Sequence, residues 1–328
     1  MPIVNTTVPI TSQASDRAIL ELVKTYPFCR TEVLATTAYE RPLRTLVIGT
    51  GPGKLLLSAS HHANEWITTL VLLQYAEDLC QAYEQGGTVD GVPAAQLLEA
   101  ATIYMVPMVN PDGVDLVTGA IVPGSIPYEI ARGMSETYPA IPFPSGWKSN
   151  LRGVDLNLQY PAGWLRAREI KFSQGFTRPG PRDYVGRAPL DQIESRAMAG
   201  YTEFLEPDVV IAFHSQGKVI YWQFDDIEVP GARELGEAMA KASGYDLADT
   251  PFESSFAGYT DWFIKRWRRP GYTVEVGLGT NPLPIEQFDE IYAACRPLIT
   301  TAVLAVKNPS PEGVPNVPPL RTLPDSSV

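Results

Sequence analysis

The stretch SASHHANEW, residues 58–66, ends a run of strand formers (KLLLSAS) in two adjacent histidines, with Glu65 close behind. The whole chain of 328 residues has only three histidines, so this pairing is the first chemical signal. His62 and Glu65, spaced HxxE, can both reach one metal ion from a turn that leads into a helix. The third histidine, His214, closes the apolar run PDVVIAFHS at 207–215. Two imidazoles and a carboxylate supply three protein ligands and leave a fourth position for water, the open arrangement of a catalytic zinc site. An HxxE alone is common on protein surfaces, and it is the distant histidine at the end of a buried strand that turns the pair into a site. His61 would instead give HxxxE, with its side chain misdirected if the turn is already helical. His62 is therefore the expected ligand, and His61 a packed imidazole or a neighbour of the ligands. A further acid, Glu275, sits inside the apolar run YTVEVG, where a charge is out of place unless it functions.

Positioning these groups requires strand ends that converge. Strand-like runs recur at 44–49, 54–60, 101–110, 207–215, 219–224 and 272–277, several continuously apolar as in strands covered on both faces. Helical periodicity follows Glu65 and recurs at 15–26, 189–205, 231–243 and 284–305. Alternating strands and helices predict an α/β fold: a single domain with a twisted, mixed, mostly parallel sheet and helices on both faces. In such sheets, sites form outside the carboxyl ends of the strands, where His62, Glu65, Asn110, His214 and Glu275 fall. The Pro-, Gly- and aromatic-rich segment 111–190 has weak periodicity and is expected to be a long functional loop. The catalytic domain is expected to span 1–310, with 311–328 a Pro-rich C-terminal tail.

A net charge of −11 argues against nucleic acid or an anionic membrane surface as partner. No apolar run approaches the roughly 20 residues that span a bilayer. The N-terminus lacks the basic and apolar regions of a secretory signal, and the three cysteines are scattered, so the sequence reads as cytoplasmic. One segment runs against the acidic trend. From 163 to 187 there are six basic residues (Arg166, Arg168, Lys171, Arg178, Arg182, Arg187) and two acidic ones (Glu169, Asp183). That excess is either a solvated loop or a landing site for a carboxylate-rich substrate.

In order along the chain, HHANEW, NPDG, GVDLN, FHS and TVEVG resemble the zinc carboxypeptidase superfamily over roughly residues 44–300. ASHHANEWIT and GVDLNLQYPAGW look most like the bacterial γ-D-glutamyl–diamino acid peptidases that cut peptidoglycan stem peptides. The resemblance implies one zinc ion per chain on His62, Glu65 and His214, with Asp155 accepting a hydrogen bond from the far nitrogen of a zinc histidine. It implies that Glu275 is the general base and that Asn157 holds a substrate carboxylate. The cation facing the developing oxyanion is Lys148 or Arg152 of WKSNLRGVDLN, with the forked guanidinium of Arg152 slightly favoured.

The departures carry as much information. Ordinary carboxypeptidases follow the asparagine of GVDLN with an arginine that clamps the substrate's C-terminal carboxylate, and here that position is Leu158. Their tyrosine ahead of a GxxDW-like segment is missing too, with Glu253 near its place before Gly258–Trp262. Plain C-terminal trimming is thereby disfavoured. A γ-D-glutamyl substrate carries an α-carboxylate at a different place, which Arg166, Arg178 or Arg182 of the basic segment would read, with Asp261 as a further substrate-binding candidate. The sequence thus reads as a zinc metallopeptidase of peptidoglycan stem peptides or muropeptides. A general zinc carboxypeptidase and a zinc-free cell-wall peptide binder on the same fold are the alternatives.

Overall fold

The computed structural model describes residues 2–306, and the Pro-rich tail expected at 311–328 lies outside them. Its centre is a seven-stranded sheet: β1 (Leu46–Ile48), β2 (Gly53–Ala59), β3 (Ala101–Val106), β4 (Val209–Ser215), β5 (Val219–Tyr221), β6 (Asp246–Ala248) and β7 (Gly271–Val276). In space the strands run β6-β5-β7-β4-β2-β3-β1. The pairs β7/β4, β4/β2, β2/β3 and β6/β5 are parallel, whereas β5/β7 and β1/β3 are antiparallel. The expected mixed, mostly parallel sheet is observed.

Alternation along the buried strands divides the interior between two faces. Leu55, Leu57, Ile211, Phe213 and Val274 join one core with α1 (Ser12–Thr25), α2 (Ile67–Glu84), α3 (Ala94–Ala100), α8 (Ala232–Ser243) and α10 (Phe288–Ala305). Leu56, Val210 and Ala212 join a second core with α7 (Ile193–Leu205) and α9 (Tyr259–Trp267). Because both faces are covered, these strands read as unbroken apolar runs.

Two expectations need correction, and one helix was not foreseen. The segment 111–190 is not one long loop, because it contains α4 (Pro111–Val117), α5 (Ile126–Ser135) and α6 (Trp164–Ser173). On α6 the exposed apolar Leu165 blurs the one-sided pattern that marks a helix. The strand expected over 101–110 stops at Val106, since Pro107 has no N–H for the ladder. α9 is absent from the expected helices; it is short and largely enclosed, with Tyr259–Ile264 and Trp267 all buried.

The turn after β3 shows how NPDG supports the site. The Asn110 side chain caps α4 by accepting from Gly113 N (3.0 Å). Its amide donates to the carbonyls of His61 (3.2 Å), Lys148 (3.3 Å) and Ser149 (3.0 Å), tying two functional loops together. Gly113 lies against this staple so closely that a Cβ would sit 2.6 Å from both Asn110 Oδ1 and the Ser149 carbonyl oxygen. Gly113→Ala is expected to cost about 1–3 kcal/mol of stability by overpacking. Gly133→Ala, in α5 with open space around it, is expected to gain up to about 1 kcal/mol. Thermal unfolding of the two variants checks the contrast.

Candidate active site

The three neighbouring parallel strands β7, β4 and β2 end on one edge of the sheet and bring their functional residues together there. Glu275 and His214 are register partners, and His61 and His62 follow the end of β2. A short 3-10 turn over Ala63–Glu65 then carries Glu65 inward before α2 begins. His62 Nδ1 lies 3.0 Å from Glu65 Oε1 and 3.1 Å from His214 Nδ1, and His214 Nδ1 lies 2.9 Å from Glu65 Oε2. This is the one group of three potential metal ligands found among the described residues. Bonds of about 2.0–2.1 Å to a tetrahedral zinc separate ligand atoms by about 3.3 Å, so three donor atoms at these spacings fit one ion.

Neighbouring groups hold the ligands in place. Asp155 Oδ1 is 3.1 Å from His62 Nε2, which fixes the tautomer that presents Nδ1 to the cluster. Ser215 N donates to Glu65 Oε2 (3.2 Å) and Asn281 Nδ2 to Glu65 Oε1 (3.4 Å). His61 is buried as a packing residue, with Nε2 3.2 Å from the Tyr160 hydroxyl and its ring stacked on His214 and Tyr259.

Electrostatics follow from burial and proximity. Burial would lower the His62 pKa, but the Glu65 and Asp155 carboxylates hold it up at about 9. For His214, burial dominates over its bond to Glu65 and lowers the pKa. Glu275 is pushed up to about 8, by burial first and then by the charge of Glu65, with Lys148 and His62 pulling the other way. Its strand explains this environment. Val274 and Val276 join the core, so Glu275 and Thr273 face the opposite side, into the cleft.

That cleft has a volume of about 680 Å³ and is lined by His62, Lys148, Asp155, Asn157, Leu158, Arg182, Asp261 and Glu275 among others. Lys148 Nζ is 3.1 Å from Glu65 Oε1, whereas Arg152 is exposed and outside the lining. The slight preference for Arg152 is therefore corrected by geometry. A tight turn closed by Gly153 N on the Asn150 carbonyl (3.0 Å) carries Arg152 at its solvent-facing tip. Trp147, fully buried, and Lys148 N, bonded to the Pro181 carbonyl (2.7 Å), hold Lys148 over the site.

Of the basic segment, only part reaches the cleft. Arg182 lines it, paired with Asp183 at 2.6 Å. Arg166 is instead exposed, paired with Glu169 and lying over the Phe252 ring, and Arg178 is exposed beside a separate groove. Lys171 was not singled out from the sequence, yet it lines the cleft and pairs with Asp183 at 2.8 Å. The signal was available: Trp164, Ala167 and Lys171 share one face of α6, and the first two are buried. Asn281 gave no signal, because it reaches Glu65 from an irregular loop after β7.

The sequence matches the zinc carboxypeptidase family over residues 16–292, and the chain belongs to that family. It is a zinc metallopeptidase, and its His62–Glu65–His214 cluster fits the zinc-binding site. It is 42% identical over 278 residues to gamma-D-glutamyl-L-diamino acid endopeptidase 1 of Lysinibacillus sphaericus, covering 84% of this chain and 67% of that one. It is 35% identical over 293 residues to the uncharacterized protein YqgT of Bacillus subtilis (strain 168), covering 88% and 76%. The solved structure of carboxypeptidase A from Helicoverpa armigera superposes with a TM-score of 0.67 at 15% identity, over 92% of this chain and 75% of that one, a likeness of fold. Among the described residues no helix is long and apolar enough to cross a membrane.

With its pKa held near 9, His62 carries a proton at neutral pH that zinc must displace. Affinity therefore falls as pH falls. One displaced proton makes binding roughly 100-fold weaker at pH 6 than at pH 8. Zinc titration of dialysed protein at the two pH values measures this, and equal affinities would contradict it.

Proposed function

We propose that this chain hydrolyses the γ-D-glutamyl–diamino acid bond of peptidoglycan-derived stem peptides. The observation that carries this reading is the apolar residue beside Asn157. Leu158 is only 8% exposed and packs with Trp164, Ala167, Val185 and Ala257 at the position where ordinary zinc carboxypeptidases hold their carboxylate-clamping arginine. A C-terminal α-carboxylate has no bidentate partner from that position. The cleft's cations come instead from Lys148, Lys171 and Arg182. A γ-D-glutamyl peptide carries the α-carboxylate of D-Glu on the acyl side of the scissile bond, and Arg182 is the cation we assign to it. The likeness to the Lysinibacillus sphaericus endopeptidase supports the same bond.

His62, Glu65 and His214 would hold the zinc. When bound, zinc polarises a carbonyl and brings the pKa of a bound water to about 7. Glu275 takes a proton from the attacking water and returns it to the leaving amine. Its raised pKa, near 8 before the charge of a metal is added, matches a group that must both accept and donate. Lys148 faces the developing oxyanion. Asn157 is oriented by its own N–H on Asp155 Oδ1 (3.1 Å) and by Tyr259 N on its Oδ1 (3.1 Å), and offers its amide nitrogen to a substrate carboxylate.

Incubation with L-Ala-γ-D-Glu-meso-diaminopimelate should release the diamino acid, and chelation should stop it. Cleavage confined to α-linked peptides would remove the substrate assignment. Glu275→Gln should retain zinc while lowering kcat by on the order of 10²–10⁴-fold. Near-normal turnover in that variant would take Glu275 out of the mechanism.

A further inference from the structure

Away from the cleft, the core shared by α1 and α2 holds two sulfurs in contact. Cys29 Sγ lies 3.3 Å from Cys80 Sγ, and both residues are buried. The 51 positions between them hide the pair in the sequence, where the three cysteines look unrelated. Cys295 shows the ordinary alternative. It is buried as a small apolar residue, with its sulfur 4.0 Å from the Tyr245 hydroxyl. Cys29 and Cys80 thus form the one sulfur–sulfur contact among the described residues.

Both backbones are fixed where the sulfurs meet. Cys29 N donates to the Tyr26 carbonyl (2.9 Å), closing the turn after α1. The next residue, Arg30, exchanges two hydrogen bonds with Val47 of β1 (3.0 and 2.8 Å). Cys80 stands on α2, buried in the same core as Ala76 and Leu79. A disulfide needs its sulfurs about 2.05 Å apart, so closure asks for a relative shift of roughly 1 Å, within reach of rotation about the two Cα–Cβ bonds.

The folded pair is protected. Its hydrogen bond to Cys29 and then burial push the Cys80 thiol well above its ordinary range, so the closed core offers no thiolate to an oxidant. Bond formation therefore belongs to folding, before α1 and its turn settle against α2. The step is a two-stage exchange. One cysteine thiolate attacks a small-molecule disulfide, which gives a mixed disulfide and releases one small thiolate. The other cysteine thiolate then attacks the protein sulfur of that mixed disulfide, forming the Cys29–Cys80 bond and releasing the second small thiolate. Two protein thiols are oxidised, one small disulfide is reduced to two thiols, and the two protons pass to those products.

We propose that Cys29 and Cys80 are a redox modification site, closed to a disulfide when the chain folds in the presence of a small-molecule disulfide. The bond encloses the segment that carries β1, β2, His62 and Glu65, and so ties down the strand and turn that hold two of the three clustered potential ligands. Its effect is resistance to unfolding, through restriction of the unfolded chain. Neither cysteine lines the cleft.

The test uses the full chain, reduced in denaturant and refolded with zinc, either in mixed oxidised and reduced glutathione or in excess reductant. Alkylation under denaturing conditions and peptide mapping should find Cys29 joined to Cys80 and only Cys295 labelled in the first sample, with all three labelled in the second. The midpoint of thermal unfolding should be higher in the first sample by on the order of 5–10 °C. Cys80→Ala should lose both the cross-link and the difference in midpoint; if that variant does not fold, the wild-type map and midpoints decide alone. Three labelled cysteines after oxidative refolding, a bond to Cys295, glutathione retained on Cys29 or Cys80 without a cross-link, or equal midpoints would each overturn the proposal.

Discussion

Two imidazole nitrogens and a carboxylate lie within about 3 Å of one another, with Glu65 and His214 almost wholly shielded from water and His62 at the cleft wall, and such a cluster of electron-rich atoms calls for a cation. Much of the fold can be understood as the means of holding that arrangement. His62 and Glu65 share the turn after β2 and His214 lies at the end of β4, so none can be displaced without moving a packed strand or its following turn. β2 and β4 are parallel neighbours buried on both faces, and their close register sets His62 and His214 side by side. Local chain conformation alone would not produce this geometry, because residues 152 positions apart meet only through the sheet.

Asp155 extends the constraint from metal to substrate. Its two oxygens serve His62 Nε2, Asn157 N and Asp183 N, at 3.1, 3.1 and 3.2 Å. One side chain thus orients a metal ligand, Asn157, which we propose reads a substrate carboxylate, and the strip of chain that carries Arg182. The charges of His62 and Lys148 hold its carboxyl below the usual range against the effect of burial, so it remains an acceptor throughout neutral pH. On the roles proposed for Asn157 and Arg182, recognition and catalysis are coupled through hydrogen bonds to one rigid acid.

How much of this was legible in the sequence depended on how each residue is placed. His62, Glu65, His214 and Glu275 stood out because they interrupt apolar strands or begin the turn after one, where a polar residue has few structural reasons to be. The seven-stranded architecture was legible for the same reason, apart from the edge strand β6 (Asp246–Ala248), which is short and partly exposed. Arg152 was slightly favoured over Lys148 on its forked geometry, but a tight turn, which the sequence pattern does not reveal, turns Lys148 inward and Arg152 to solvent. Three of the six basic residues of 163–187 were expected to read substrate, but charge density does not reveal direction, and of those three only Arg182 lines the cleft. Asn281 was beyond reach, since irregular loops have no periodicity to read.

The most direct measurement is anomalous diffraction at the zinc edge from crystals of the metal-loaded chain. The account predicts a single strong peak bonded to His62 Nδ1, His214 Nδ1 and a carboxylate oxygen of Glu65. A peak at other residues, or zinc-replete crystals with no peak between these three, would contradict it.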